Sequence, residues 1–184
     1  RLQSLEYVMS LAMDRRAQAL LNVVSVVPGA AGAFRRDAVV RVMGWPERTL
    51  TEDTDLTVSL LSAGWRIPYE GRAISWTEAP ETVTDVLKQR RRWSYGAAQV
   101  SAIHGRRMMD TREGRVGLLA LPWLFTAQVL LPAAGPLVDA YLLWLILNGD
   151  WNPAVVMLAL AIAADTVLAA WALRTDGESL RQVW

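Results

Sequence analysis

The chain has 184 residues, 53% of them hydrophobic, and a formal net charge of +1. That charge gives no global basic field of the kind that holds nucleic acid, and the absence of cysteine excludes disulfides, zinc–thiolate sites and a cysteine nucleophile. The apolar content is unevenly spread: between 117 and 173 the only charged residues are Asp139, Asp150 and Asp165, a distribution that excludes a simple soluble globule.

Residues 1–22 repeat apolar side chains at three- and four-residue steps (Leu2, Leu5, Val8, Met9, Ala12, Met13), which predicts a helix. The chain opens on Arg1, with neither an initiating Met nor the apolar core of a signal peptide, and is expected to be an excerpt of a longer protein. Val23–Val27 is a β-branched run bounded by Asn22 and Pro28-Gly29 and reads as a buried strand. Gly29, Gly32 and the alanines between them form a small-residue turn that another group can approach closely. A short helix is expected from about Asp37 to Met43, stopped by Gly44-Trp45-Pro46. Thr51–Ser62 is the next helix, with Gly64 as its stop. Short strands are expected at Trp65–Tyr69 and Ala73–Trp76, followed by a long Arg-rich helix from Thr82 to His104. This alternation predicts part of an α/β domain.

From Gly117 onward the pattern is that of membrane spans. Ala154–Leu173 has about the 20 residues that a crossing needs. Gly117–Leu147 contains Pro132, Gly135 and Pro136; halves split there would be too short to cross, so one kinked span is expected. Arg90–Arg92, Arg106, Arg107, Arg112 and Arg115 precede the first span, and Arg174 and Arg181 follow the second, which predicts both flanks in the cytoplasm and Asn148–Pro153 outside. Trp123, Trp144, Trp151 and Trp171 suit an interfacial belt. Asp139 and Asp165 could face a channel or lie near an interface. Ser94–Met109 reads as an amphipathic interfacial helix, with Tyr95, Ala98, Val100, Ile103 and Met108 as its apolar surface. The lone His104, beside Arg106-Arg107, is expected to be an interfacial residue rather than a ligand, since one histidine makes no metal site without partners.

Two segments carry chemistry. Thr51-Glu52-Asp53-Thr54-Asp55 places carboxylates at a helix start. Thr49 with Glu52 fits a capping box, Asp53 and Asp55 have the form of a metal-binding pair, and an acid beside the flexible small-residue loop fits a general base. In Gln89-Arg90-Arg91-Arg92-Trp93, arginine suits diphosphate oxygens and tryptophan offers a flat face for a sugar ring. Helical spacing puts Gln89, Arg92 and Trp93 on neighbouring faces and turns Arg90 and Arg91 elsewhere, towards a lipid surface.

Gly32-Ala33-Phe34-Arg35-Arg36, then Thr51-Glu52-Asp53, then Gln89-x-x-Arg92-Trp93, followed by membrane helices, resembles processive glycosyltransferase family 2, the synthases of cellulose, hyaluronan, chitin oligosaccharide and poly-N-acetylglucosamine. Glu78-Ala79-Pro80-Glu81-Thr82 most resembles the poly-N-acetylglucosamine branch. The resemblance implies the C-terminal part of a GT-A domain (residues 1–93), an interfacial segment (94–116), a membrane region (117–174) and a cytoplasmic tail (175–184), in a multi-pass protein of the inner cell membrane. It implies inverting transfer from a UDP-sugar, N-acetylglucosamine foremost, to a growing β-linked polysaccharide. Asp53 is then the catalytic base, Gln89 and Arg92 contact the donor diphosphate, and Phe34, Arg35, Glu52 and Trp93 line the acceptor site. A divalent cation, Mg or Mn, is expected with its ligands upstream of Arg1, so no metal ligand is assigned here and the excerpt alone is expected to be inactive. The expected partners are donor, glycan acceptor and lipid bilayer, with an accessory membrane subunit as a further possibility. The alternatives are a non-catalytic membrane scaffold and a non-processive family 2 transferase acting on a lipid carrier.

Overall fold

A computed structural model describes residues 13–73, 75, 78 and 80–176. Arg15–Pro132 forms one compact unit, and the apolar helices beyond Ala133 belong to another. Helices α1 (Met13–Leu21), α2 (Arg36–Arg41), α3 (Glu52–Ser62) and α4 (Val83–His104) precede a helical run, α5 (Val116–Leu147), and a last helix, α6 (Trp151–Asp176). Single 3₁₀ turns at Gly105–Arg107 and Thr111–Glu113 bridge α4 and α5. Residues 1–12 of the expected first helix lie outside the described residues.

The helices stop where local chemistry requires. Asn22, at φ 55°, closes α1, with the Val23 N–H returning to Gln18 O at 2.9 Å. Gly64, at φ 82°, ends α3, and the Trp65 N–H reaches back to Leu60 O at 3.0 Å. Thr82 caps α4 by accepting from the Asp85 N–H. The expected capping box on α3 does not form: Thr51 is the N-cap, without a side-chain cap bond, and Thr49 Oγ1 is buried and unpartnered. Asp53 takes over that work, its Oδ1 accepting the Thr54 N–H at 2.7 Å.

No strand is formed among the described residues, contrary to the expectation for Val23–Val27 and Trp65–Tyr69; part of Ala73–Trp76 lies outside them. The first two segments are not helical, but neither has a neighbouring strand to make a ladder. Side chains take their amide hydrogens instead. The Ser25 N–H goes to Gln18 Oε1 (3.0 Å), the Val27 N–H to Thr57 Oγ1 (3.1 Å), and the Ile67 N–H to Asn22 Oδ1 (2.9 Å).

The core explains how the site is held. Leu56, Val58, Leu60 and Leu61 of α3 pack with Val23, Val24, Val100 and the first turns of α5, where Ala120, Leu121 and Leu124 are fully buried. The start of the apolar run is thus built into the same core as α3 and α4. Gly117 makes this possible: a Cβ there would lie 2.5 Å from Asp110 O and 2.7 Å from Arg107 O. The Met109 N–H also donates to Gly117 O at 2.9 Å. Val100, expected on a lipid-facing surface, belongs to this core, while Tyr95 and Ile103 are exposed.

Two helices are long and apolar enough to cross a membrane, Val116–Leu147 and Trp151–Trp171. The first, with 32 residues, rises about 48 Å. Its backbone stays helical through Pro132 and Pro136. Wider π turns at Val116–Ala120 and Thr126–Leu130 precede Pro122 and Pro132, a local adjustment that accommodates a ring without an N–H. Gly149, at φ 77°, makes the tight turn into α6. Trp123, Trp144, Trp151 and Trp171 are all exposed, as are Asp139 and Asp165.

Candidate active site

Asp53 stands in the first turn of α3, half-buried, with its carboxylate oriented by backbone donors. The Gly29 N–H, from the turn after the first extended segment, donates to Oδ2 at 2.9 Å, and the Thr54 N–H donates to Oδ1 at 2.7 Å. A carboxylate oxygen accepts two hydrogen bonds, so Oδ2 keeps a lone pair for a further donor. The carbonyl of Asp53 is also held: Thr57 Oγ1 donates to it at 2.6 Å while accepting the Val27 N–H. The fully buried Thr57 therefore joins the extended segment to the turn that carries Asp53.

The small-residue turn lies beside this carboxylate. A Cβ on Gly29 would sit 3.5 Å from Asp53 Oδ2, while one on Gly32 would collide with the Phe34 ring at 2.7 Å and with Val27 at 2.8 Å. Phe34 is half-buried and meets Trp45 edge-on, with centroids 5.4 Å apart. Arg35 is exposed at the N-cap of α2, and Glu52 is half-buried at the start of α3.

Gln89, Arg92 and Trp93 are on α4, as the spacing predicts. Gln89 and Trp93 are half-buried; Arg92 is exposed and pairs with no acidic group among the described residues. Arg90, expected at a lipid surface, instead stands over the Trp93 ring, 5.4 Å from its centroid. One turn beyond Trp93, Gly96 abuts Thr51, two residues from Asp53: a Cβ on Gly96 would lie 2.5–2.9 Å from Thr51 side-chain atoms. Gln99 Oε1 accepts the Leu50 N–H at 2.9 Å, a second tie between α4 and the approach to α3.

Asp55 is no partner for Asp53 in metal binding. It is fully buried and engaged by Arg48 and His104. Arg48 grips it in a bidentate way, Nε to Oδ2 at 2.6 Å and Nη2 to Oδ1 at 2.8 Å, and His104 Nε2 lies 2.7 Å from Oδ1. Burial pushes the Asp55 carboxyl up; the hydrogen bonds from Arg48 and His104 outweigh it and hold the group well below the usual carboxylate range. The same bond raises Arg48. An ionised carboxylate only accepts, so Nε2 of His104 carries the hydrogen. This corrects the interfacial reading of His104: the ring is buried, with its N–H on a buried anion 2.7 Å away. Among the described residues no group of His, Asp and Glu is placed to hold a metal ion.

Sequence reasoning missed Arg48, Thr57, Gly96 and Gln99, and gave Asp55 and His104 other roles. Thr57 carried a signal, since a threonine four residues after Asp53 in a helix can bond back to its carbonyl. The others meet across loops, where spacing is silent.

The chain matches the family described as glycosyl transferase family group 2 over residues 1–173. Over 100 residues, 54% of this chain, it is 35% identical to a protein of Staphylococcus aureus (strain COL) named poly-beta-1,6-N-acetyl-D-glucosamine synthase. Over the same length it is 31% identical to the protein of that name from Staphylococcus epidermidis (strain ATCC 35984). The match covers 24% of each relative, so the chain spans about a quarter of their length. No solved structure matches it. With the match running over nearly the whole chain, the protein belongs to glycosyltransferase family group 2.

Proposed function

We propose that this chain is the acceptor-side part of a membrane-bound, inverting glycosyltransferase. In this reading it adds N-acetylglucosamine from a UDP-sugar to a growing β-linked glycan. The observation that carries the proposal is the Asp53 carboxylate, fixed by the Gly29 and Thr54 N–H groups, on a helix that abuts the helix bearing Gln89, Arg92 and Trp93. The family match and the names of the staphylococcal relatives support the chemistry and the sugar.

In the proposed step the acceptor hydroxyl oxygen attacks the anomeric carbon of the donor. Its proton passes to Asp53 Oδ2, the bond from that carbon to the diphosphate oxygen breaks, and UDP departs with both electrons of that bond. Arg92, exposed and paired with no acidic group among the described residues, meets the diphosphate charge, with Gln89 beside it. Trp93 stacks on the acceptor end of the glycan, its ring backed by Arg90, and Phe34, Arg35 and Glu52 line the same side. A divalent cation accompanying the diphosphate is held by residues other than the Asp53–Asp55 pair, which does not fit a metal. The α/β GT-A architecture is the setting in which extended segments 23–28 and 65–70 would gain strand neighbours. In this reading the protein sits in the cell membrane with residues 15–115 on the cytoplasmic side, which the two apolar helices and the arginines flanking them support.

The test is donor choice. Membranes carrying the full-length protein are supplied in turn with UDP-N-acetylglucosamine, UDP-glucose and UDP-glucuronic acid. Polymer from the first alone supports the reading. Single-sugar lipid products would replace it with the lipid-carrier transferase, and no transfer from any donor would replace it with the scaffold.

A further inference from the structure

Asp55 is two residues from Asp53 yet fully buried, so it touches no substrate. What it touches is α4. That helix meets the start of α3 at three levels: Gly96 against Thr51, Gln99 Oε1 on the Leu50 N–H, and His104 Nε2 on Asp55 Oδ1 at 2.7 Å. Gln89, Trp93, Gly96, Val100 and His104 follow one another at three- and four-residue steps, so they share one face of one helix. At about 1.5 Å per residue the stripe is roughly 22 Å long. The signature residues sit at one end of a rigid rod, and His104 pins the other end to the helix carrying Asp53.

We infer that His104 is a positioning residue for the transfer reaction: by donating to Asp55 it locks the first turn of α3 to α4 and sets where the Asp53 carboxylate stands relative to Gln89, Arg92 and Trp93. Arg48 cannot do this alone. It holds Asp55 from the loop preceding α3, close in sequence, and gives no tie to α4. Without the His104 bond the start of α3 keeps its fold but gains freedom to rock against the helix that presents the donor and acceptor. A misplacement of about 1 Å in a reacting group costs up to about 100-fold in rate. The inference rests on the reading of Asp53 as the base.

The experiment compares His104→Ala, His104→Gln and His104→Asn in the full-length protein, normalised to its amount in the membrane. Glutamine presents an N–H donor near the place of Nε2; asparagine is one bond too short. Alanine and asparagine are expected to lower kcat about 10- to 100-fold with the KM for UDP-sugar unchanged, and glutamine to restore most of it. A merely structural role would lower the amount of protein without separating kcat from KM. Equal turnover in all three variants overturns the inference, as does a glutamine variant no better than asparagine. Should alanine not accumulate in the membrane, the glutamine–asparagine pair decides alone. If wild-type protein transfers no sugar, the reading of Asp53 falls first and this inference falls with it; an active wild type with indifferent His104 variants sinks the inference only.

Discussion

The Gly29 N–H donates to Asp53 Oδ2 at 2.9 Å, across a sequence separation of 24 residues. This bond fixes the second oxygen of a carboxylate whose first is held by the Thr54 N–H, and it is made by backbone, so a side chain at 29 is not what matters. Gly29→Ala is expected to keep near-normal transfer, because its Cβ would make only ordinary contact at 3.5 Å. Gly29→Pro removes the donor and is expected to lower kcat about 10-fold or more. Initial rates at saturating donor check both.

Gly96 is a packing requirement. A Cβ would sit 2.5 Å from Thr51 Cγ2 and 2.9 Å from Thr51 Cβ, so Gly96→Ala forces α4 away from α3 at a cost of about 1–3 kcal/mol. The melting temperature of the purified full-length protein should fall. Adding Thr51→Gly, which clears the clashing atoms, should recover part of that loss; strict additivity of the two changes would contradict the packing account.

The Asp55 cluster gives a pH dependence. Its folded-state pKa is depressed, so its contribution is fully present above the unfolded carboxylate value of about 3.9 and is lost as pH falls through the folded value. Stability of wild-type protein should therefore drop with acidification below about pH 4 more steeply than that of Asp55→Asn. Asp55→Ala leaves Arg48 and the buried His104 without their acceptor and should cost about 3 kcal/mol near neutral pH. Denaturant titrations across pH measure both.

The described chain divides into what sequence could and could not show. Helices α3 and α4, their stops and the two apolar runs were legible, because apolar periodicity, Gly64 and the Thr82 cap are local signals. The three motifs are short runs of neighbouring residues, read as a family resemblance, and the roles assigned to them remain part of the proposal. The strands were not: Val23–Val27 has the right composition, but a ladder needs a neighbour, and here Thr57, Gln18 and Asn22 side chains take those amides. The Asp55–His104 bond spans 49 residues and leaves no periodic trace. Reading His104 by its neighbours Arg106 and Arg107 put it at a surface, while its partner lay in the core.

Topology is open to a labelling test, since the chain has no cysteine. Asp150→Cys, exposed in the turn between the apolar helices, is expected to react with a membrane-impermeant maleimide added outside the cell membrane. Arg112→Cys, exposed before the first apolar run, is expected to react only after permeabilisation. The reverse pattern would invert the proposed orientation.

The central claim is that Asp53 is the base. The direct measurement is sugar transfer by full-length Asp53→Asn in membranes, with abundance measured in the same samples. The amide keeps the shape and can accept one of the two N–H groups that the carboxylate accepts, from Gly29 and Thr54, but it takes no proton. Transfer is expected to fall by at least about 100-fold at normal membrane abundance. Transfer at the wild-type rate would show that Asp53 takes no proton in the reaction and would contradict the account.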